Sequence, residues 1–104
     1  MRFVLCGLIV AGCAGVPLPR ESLSDPGALL YNGYVRPEID CYRCHDGTGK
    51  GTRGPSLIVK VPGKSPERLA KTITKGSGFM PKYGDKLSEE EVSQLIAWLQ
   101  ATFK

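Results

Sequence analysis

Histidine occurs once in this chain, at position 45, and methionine only twice, as Met1 and Met80. These scarcities exclude a good deal. A structural zinc site needs four ligands, usually two C-x-x-C pairs or one pair with two histidines. A single histidine also rules out a two-histidine ligand pair within the chain. Long apolar runs are missing too. Residues 3–11 are apolar, but that stretch falls far below the ~20 residues that span a bilayer. No segment alternates convincingly as a strand, and Leu57-Ile58-Val59 is too short to build a sheet. A thioredoxin-like dithiol therefore has no βαβ setting. The glycine-rich residues 46–54 fail the phosphate-loop pattern, which asks for a glycine where Cys44 stands. No internal repeat, second domain or acid–base constellation is visible.

What is present is concentrated at Cys41-Tyr42-Arg43-Cys44-His45, a C-x-x-C-H, the signature of covalent c-type haem attachment. Thiols at this spacing share one side of a helical turn. There they can add to the two vinyl groups of one haem c, while the adjacent imidazole meets the iron as proximal ligand. The leader agrees with export. Met1-Arg2 is a short positive start, and Val10-Ala11-Gly12-Cys13 closes the apolar run. This tetrapeptide resembles the bacterial lipobox, which implies a signal peptide over residues 1–12 and lipidation at Cys13. Residues 13–24 then read as a lipidated N-terminus and flexible linker. Two prolines and no aromatic residue suit a tether reaching roughly 30 Å. The expected location is the periplasmic or extracytoplasmic side of a bacterial membrane. The domain proper, residues 25–104, is small. At about 80 residues it buries only around 60% of its unfolded surface, so bound haem would supply much of the core and the apo chain is expected to be largely unfolded.

Several stretches of the domain resemble the class I c-type cytochromes, small single-haem electron carriers. The resemblance implies an all-α fold, with three main helices and loops wrapped around one covalent haem. The first helix starts at Ser24 or Asp25 with Pro26 in its first turn. Gly27 and Tyr31 match the family's glycine and aromatic where the first helix crosses the last, and Trp98 matches the aromatic that packs there. Gly54-Pro55-Ser56-Leu57 matches the motif whose proline carbonyl orients the haem-ligating histidine, so Pro55 is assigned to His45. A second helix is capped by Ser65, buries Leu69 and Ile73, and ends at Gly76. Gly76-Ser77-Gly78-Phe79-Met80-Pro81-Lys82-Tyr83-Gly84 resembles the axial-methionine loop. It implies His45 and Met80 as iron ligands, with Phe79 and Tyr83 packed on haem and Gly78 and Gly84 making tight turns. The last helix opens with the capping box Ser88-Glu89-Glu90-Glu91 and carries the stripe Val92, Leu95, Ile96, Leu99, Phe103. One departure stands out: residues 32–40 form an extra loop between the first helix and Cys41.

Formal net charge is +4, and cations gather in residues 60–86. Lys71, Lys75 and Lys82 are the expected docking residues for acidic redox partner proteins such as a terminal oxidase or reductase. An exported haem protein gives no role to nucleic acid. The expected function is a membrane-tethered one-electron carrier, shuttling electrons in a respiratory or photosynthetic chain, and not an enzyme. The alternative is a haem-based gas sensor or peroxidase-type module with a displaceable sixth ligand.

Overall fold

The computed structural model describes residues 14–104. The expected signal peptide, residues 1–12, and Cys13 lie outside the described residues. After a single 3-10 turn at Arg20–Ser22 come α1 (Pro26–Tyr31), α2 (Tyr42–His45), α3 (Leu57–Lys60), α4 (Pro66–Lys75) and α5 (Glu89–Thr102). Among the described residues there is no strand, and no helix is long and apolar enough to cross a membrane.

Local chemistry sets most helix ends. The Asp25 carboxylate accepts the Gly27 N–H at 2.8 Å, and Pro26 fills the first helical position, where a missing N–H costs nothing. Ser65 accepts the Arg68 N–H at 3.1 Å, and α4 stops at Gly76, whose φ is +78°. At α5 the capping box is complete: Glu91 N–H reaches Ser88 Oγ at 3.1 Å and Ser88 N–H reaches Glu91 Oε1 at 3.0 Å. Three acids in that first turn suit the positive end of the helix dipole.

The core forms where α1 crosses α5. A Cβ on Gly27 would lie 2.6 Å from Trp98 Cβ, and the Gln94 carbonyl is nearer still. Only glycine permits that approach. Tyr31 and Trp98 meet as a tilted pair with ring centroids 4.9 Å apart, and Trp98 meets Phe103 edge-on at 5.9 Å. Such pairs contribute about 0.5–1.5 kcal/mol each beyond their burial. The α5 stripe Val92, Leu95, Ile96, Leu99 and Phe103 is buried, as are Leu69 and Ile73 of α4. Leu57-Ile58-Val59 belongs to the single-turn helix α3.

Two segments depart from expectation. Within the expected linker of residues 13–24, residues 15–18 lie against the domain. Gly15 N–H bonds Arg43 O at 2.8 Å, Gly47 N–H bonds Val16 O at 2.9 Å, and Leu18 N–H bonds Asn32 Oδ1 at 2.9 Å. These backbone groups are satisfied by the domain rather than by solvent. The extra loop, residues 32–40, is built in as well. Ile39 is 0% exposed, and Arg36 clamps Glu91 with two bonds of 2.8 and 3.0 Å while also donating to Lys86 O.

Candidate functional site

Four residues cannot hold a helix alone, because nucleation costs more than one turn returns. The C-x-x-C-H helix α2 is held from outside. The loop after it supplies donors to its free carbonyls: Thr52 N–H and Gly54 N–H to Cys44 O at 2.8 and 3.0 Å, and Gly51 N–H to His45 O at 2.9 Å. Gly15 caps Arg43 O, and Tyr31 Oη donates to Asp46 O. The glycine-rich stretch therefore serves as the C-terminal cap of α2. Asp46 itself sits at φ 66°, ψ 152°, a region sparsely used outside glycine that costs of order 1–3 kcal/mol. Its carboxylate is fixed by Val16 N–H and by Thr48. The Thr48 hydroxyl, then the Val16 amide, hold that carboxyl below its ordinary range.

Cys41, Cys44 and His45 line a cleft of about 900 Å³, near the upper end for small-molecule and cofactor sites. Leu69, Ile73, Leu95 and Leu99 make apolar walls, and Met80 and Tyr83 also line it. His45 Nδ1 lies 2.8 Å from Pro55 O. A carbonyl can only accept, so the ring proton belongs on Nδ1 and Nε2 keeps its lone pair for a metal. Cys41, as a free thiol, is pushed up to about 12 by burial, with the Asp40 carboxylate adding to the effect.

Met80 sits on a tight turn. Its N–H bonds Ser77 O at 2.9 Å, its carbonyl receives Ser77 N–H at 3.2 Å, and Gly78 between them has φ +59°. The loop is then stapled to the end of α4 by Tyr83 N–H to Ile73 O at 3.0 Å and Gly84 N–H to Thr74 O at 3.1 Å. Gly84 is therefore no left-handed turn. It is needed for close approach, since a Cβ there would stand 3.0 Å from Thr74 O. Tyr83 is 6% exposed, and its hydroxyl points at Asp40 Oδ1, 3.4 Å away. Burial, then the neighbouring Cys41 and Asp40, push its phenol well above the usual range. Phe79 also lines the cleft, and its ring is exposed.

The expected docking residues Lys71, Lys75 and Lys82 are exposed, but none lines the cleft. Arg43, Arg53, Lys60, Lys64 and Arg68 do, and Arg43 is paired with Asp40 at 3.0 Å. A signal for this was present in the helical phase of α4. Arg68 and Thr72 adjoin the buried Leu69 and Ile73, whereas Lys71 and Lys75 fall on another face.

These residues fit haem c. Two cysteines, an imidazole with one nitrogen free, and a thioether surround one apolar cleft. Among the described residues, no group of three or more histidine, cysteine, aspartate or glutamate side chains is placed to hold a metal ion by itself.

Residues 25–99 match the protein-family model described as "Cytochrome C oxidase, cbb3-type, subunit III". Among solved structures the chain is similar to one titled "c-type cytochrome NirC", at 25% sequence identity and a TM-score of 0.57, covering 81% of this chain and 94% of that one. Among curated proteins no match was found.

Proposed function

This chain belongs to the c-type cytochrome family described as cytochrome c oxidase, cbb3-type, subunit III, and we propose that it is a membrane-tethered one-electron carrier between partners of a respiratory or photosynthetic chain. It is a monohaem class I c-type cytochrome with covalently bound haem c, an electron-transfer protein rather than an enzyme. Haem c, when bound, supplies a ferric–ferrous couple.

Every other task falls to the chain. Cys41 and Cys44 would hold the group through thioethers, and His45 Nε2 and the Met80 sulfur would be the ligands to its iron. The single observation that carries this assignment is that Cys41, Cys44, His45 and Met80 line one cleft. Pro55 fixes the imidazole by accepting its Nδ1–H. The Ser77–Met80 bond pair and the two staples to α4 restrain the thioether, so ligand positions need shift little between redox states. Tyr83 and the leucine walls keep water from the cleft. The acidic face of a partner docks over Lys60, Lys64 and Arg68, which line the cleft, rather than over Lys71, Lys75 and Lys82. Lipidation at Cys13 supplies the tether, supported by Val10-Ala11-Gly12-Cys13.

Met80→Ala tests the site. It should abolish the sulfur-to-iron charge-transfer band of the oxidised protein and lower the reduction potential, because a thioether favours reduced iron. An unchanged band and potential would assign the sixth position to another group. For the tether, Cys13→Ser should release haem-loaded protein from the membrane fraction. Native protein found wholly in the soluble fraction would refute anchoring.

A further inference from the structure

The described chain begins against α2, not in solvent. Gly15 is bonded to Arg43 O at 2.8 Å, and Val16 N–H to Asp46 Oδ1 at 3.1 Å. Gly47 N–H returns a bond to Val16 O at 2.9 Å. A Cβ on Gly47 would come within 2.6 Å of Val16 O and 2.8 Å of Leu18 N, so the strap lies flat on the domain backbone. The extra loop holds the next residues. Asn32 is 2% exposed; it accepts Leu18 N–H at 2.9 Å and turns its own amide to Ala28 O at 2.9 Å. Tyr34 Oη donates to Leu18 O at 2.6 Å.

This changes what a lipid on Cys13 can do. Cys13 precedes the pinned Gly15 by two residues, and an extended chain spans at most about 3.5 Å per residue. The free tether is thus about 7 Å rather than the roughly 30 Å of an undocked linker. That length is comparable to the headgroup layer on one side of a bilayer. The strap and loop also carry exposed apolar side chains: Val16 at 69%, Tyr34 at 37% and Val35 at 46%. Tyrosine is favoured at membrane interfaces, where its ring is buried and its hydroxyl stays bonded. None of these three residues lines the cleft.

We propose that residues 15–18 and the Tyr34–Val35 corner of the extra loop form a membrane-contact face, on which the docked strap holds the domain in one orientation against the lipid headgroups. The inference rests on lipidation of Cys13. It assigns the extra loop its role: it receives the strap and turns the tether into a mount. The cleft residues Lys60, Lys64 and Arg68 remain free for a partner.

The test uses the full matured lipoprotein in vesicles of phosphatidylethanolamine and phosphatidylglycerol. Nitroxides are placed by Val35→Cys and, as control, Lys75→Cys. Collision with oxygen against a water-soluble nickel chelate reports contact with lipid. On vesicles the oxygen-to-nickel ratio should rise severalfold at position 35 and stay unchanged at position 75. A flexible Gly-Ser insertion between Ala14 and Gly15 leaves the strap docked but lengthens the tether, and should return position 35 towards its aqueous value. Equal ratios at positions 35 and 75, or no response to the insertion, would overturn the fixed orientation. Mass spectrometry of the N-terminal peptide separates the two readings. An unacylated Cys13 refutes the anchor, and the mount falls with it; an acylated Cys13 with a water-exposed position 35 refutes the mount alone.

Discussion

Charge reversal around the cleft distinguishes the docking surface expected from sequence from the cleft rim proposed here. The variants are Lys64→Glu and Arg68→Glu, which line the cleft, against Lys71→Glu and Lys75→Glu on another face of α4. Ferricyanide, a trianion, serves as oxidant of the reduced protein. A unit charge about 10 Å from a trianion contributes about 1.2 kcal/mol in bulk water. At 0.01 M salt, with a Debye length near 30 Å, about 0.9 kcal/mol remains. Reversal changes the charge by two units, so the encounter loses about 1.8 kcal/mol, or roughly 20-fold in second-order rate. The other face of a helix adds about 10 Å. There the same sum gives about 0.6 kcal/mol, or roughly threefold. Stopped-flow oxidation at low salt reads the difference directly, with an unchanged optical spectrum as proof that the site is intact. At 1 M salt all four variants should fall within about twofold of the parent, because the screening length drops to about 3 Å. If Lys71→Glu or Lys75→Glu slows oxidation as much as Arg68→Glu, docking over the cleft is wrong.

Two further outcomes follow from the packing. Gly27→Ala should gain up to about 1 kcal/mol of helix propensity but lose about 1–3 kcal/mol by forcing a methyl group against Gln94 and Trp98; guanidinium unfolding of the holoprotein should show a net loss centred near about 1 kcal/mol, and a gain would refute the tight α1–α5 crossing. The Arg36 guanidinium, aided by the Ser88 amide, lowers the Glu91 carboxyl from 4.5 to about 2, so the stability it contributes is fully present above pH 4.5 and is lost as pH falls towards 2. Arg36→Ala should therefore unfold at lower denaturant than the parent at neutral pH, with the gap closing between pH 4.5 and 2; a gap that persists at pH 2 would show that the ion pair is not its source.

The parts of this fold that were legible in the sequence are those whose causes are local. A capping residue acts on amides two or three positions away, so Asp25, Ser65 and Ser88 announce their helices directly. The α5 stripe follows from the 3.6-residue period, and C-x-x-C-H follows from the reach of one helical turn. Pro55 was reachable only through resemblance, because the bond from His45 crosses a loop that has no pattern of its own. The strap was not legible for the same reason. Gly15 and Val16 bond to Arg43 and Asp46 through backbone and carboxylate, and such bonds leave no periodicity in either segment. Proline content points to extension, but solvated and docked extended segments share the same composition.

The extra loop shows why a departure from a family pattern can carry more information than a match. Matching positions such as Gly27, Tyr31 and Trp98 explain what any fold of this class requires. Residues 32–40 are not required in that sense, yet nearly every polar contact they make is specific. Asn32 and Tyr34 hold the strap, Arg36 ties the loop to the first turn of α5, and Asp40 pairs with Arg43 and meets Tyr83. Ile39 contributes a fully buried side chain, which offsets part of the entropy of ordering the loop at about 1–2 kcal/mol per residue. One segment thus connects the entry of the chain, the start of the last helix and the wall of the haem cleft. A perturbation at the strap has a short covalent and hydrogen-bonded route to the residues beside Cys41. Loosening Arg36 or Asn32 should therefore loosen the strap as well as the loop, and amide exchange at Leu18 should accelerate in Asn32→Ala while exchange within α4 stays as in the parent. Acceleration confined to residues 32–40, with Leu18 still protected, would show that the loop and strap are fastened independently.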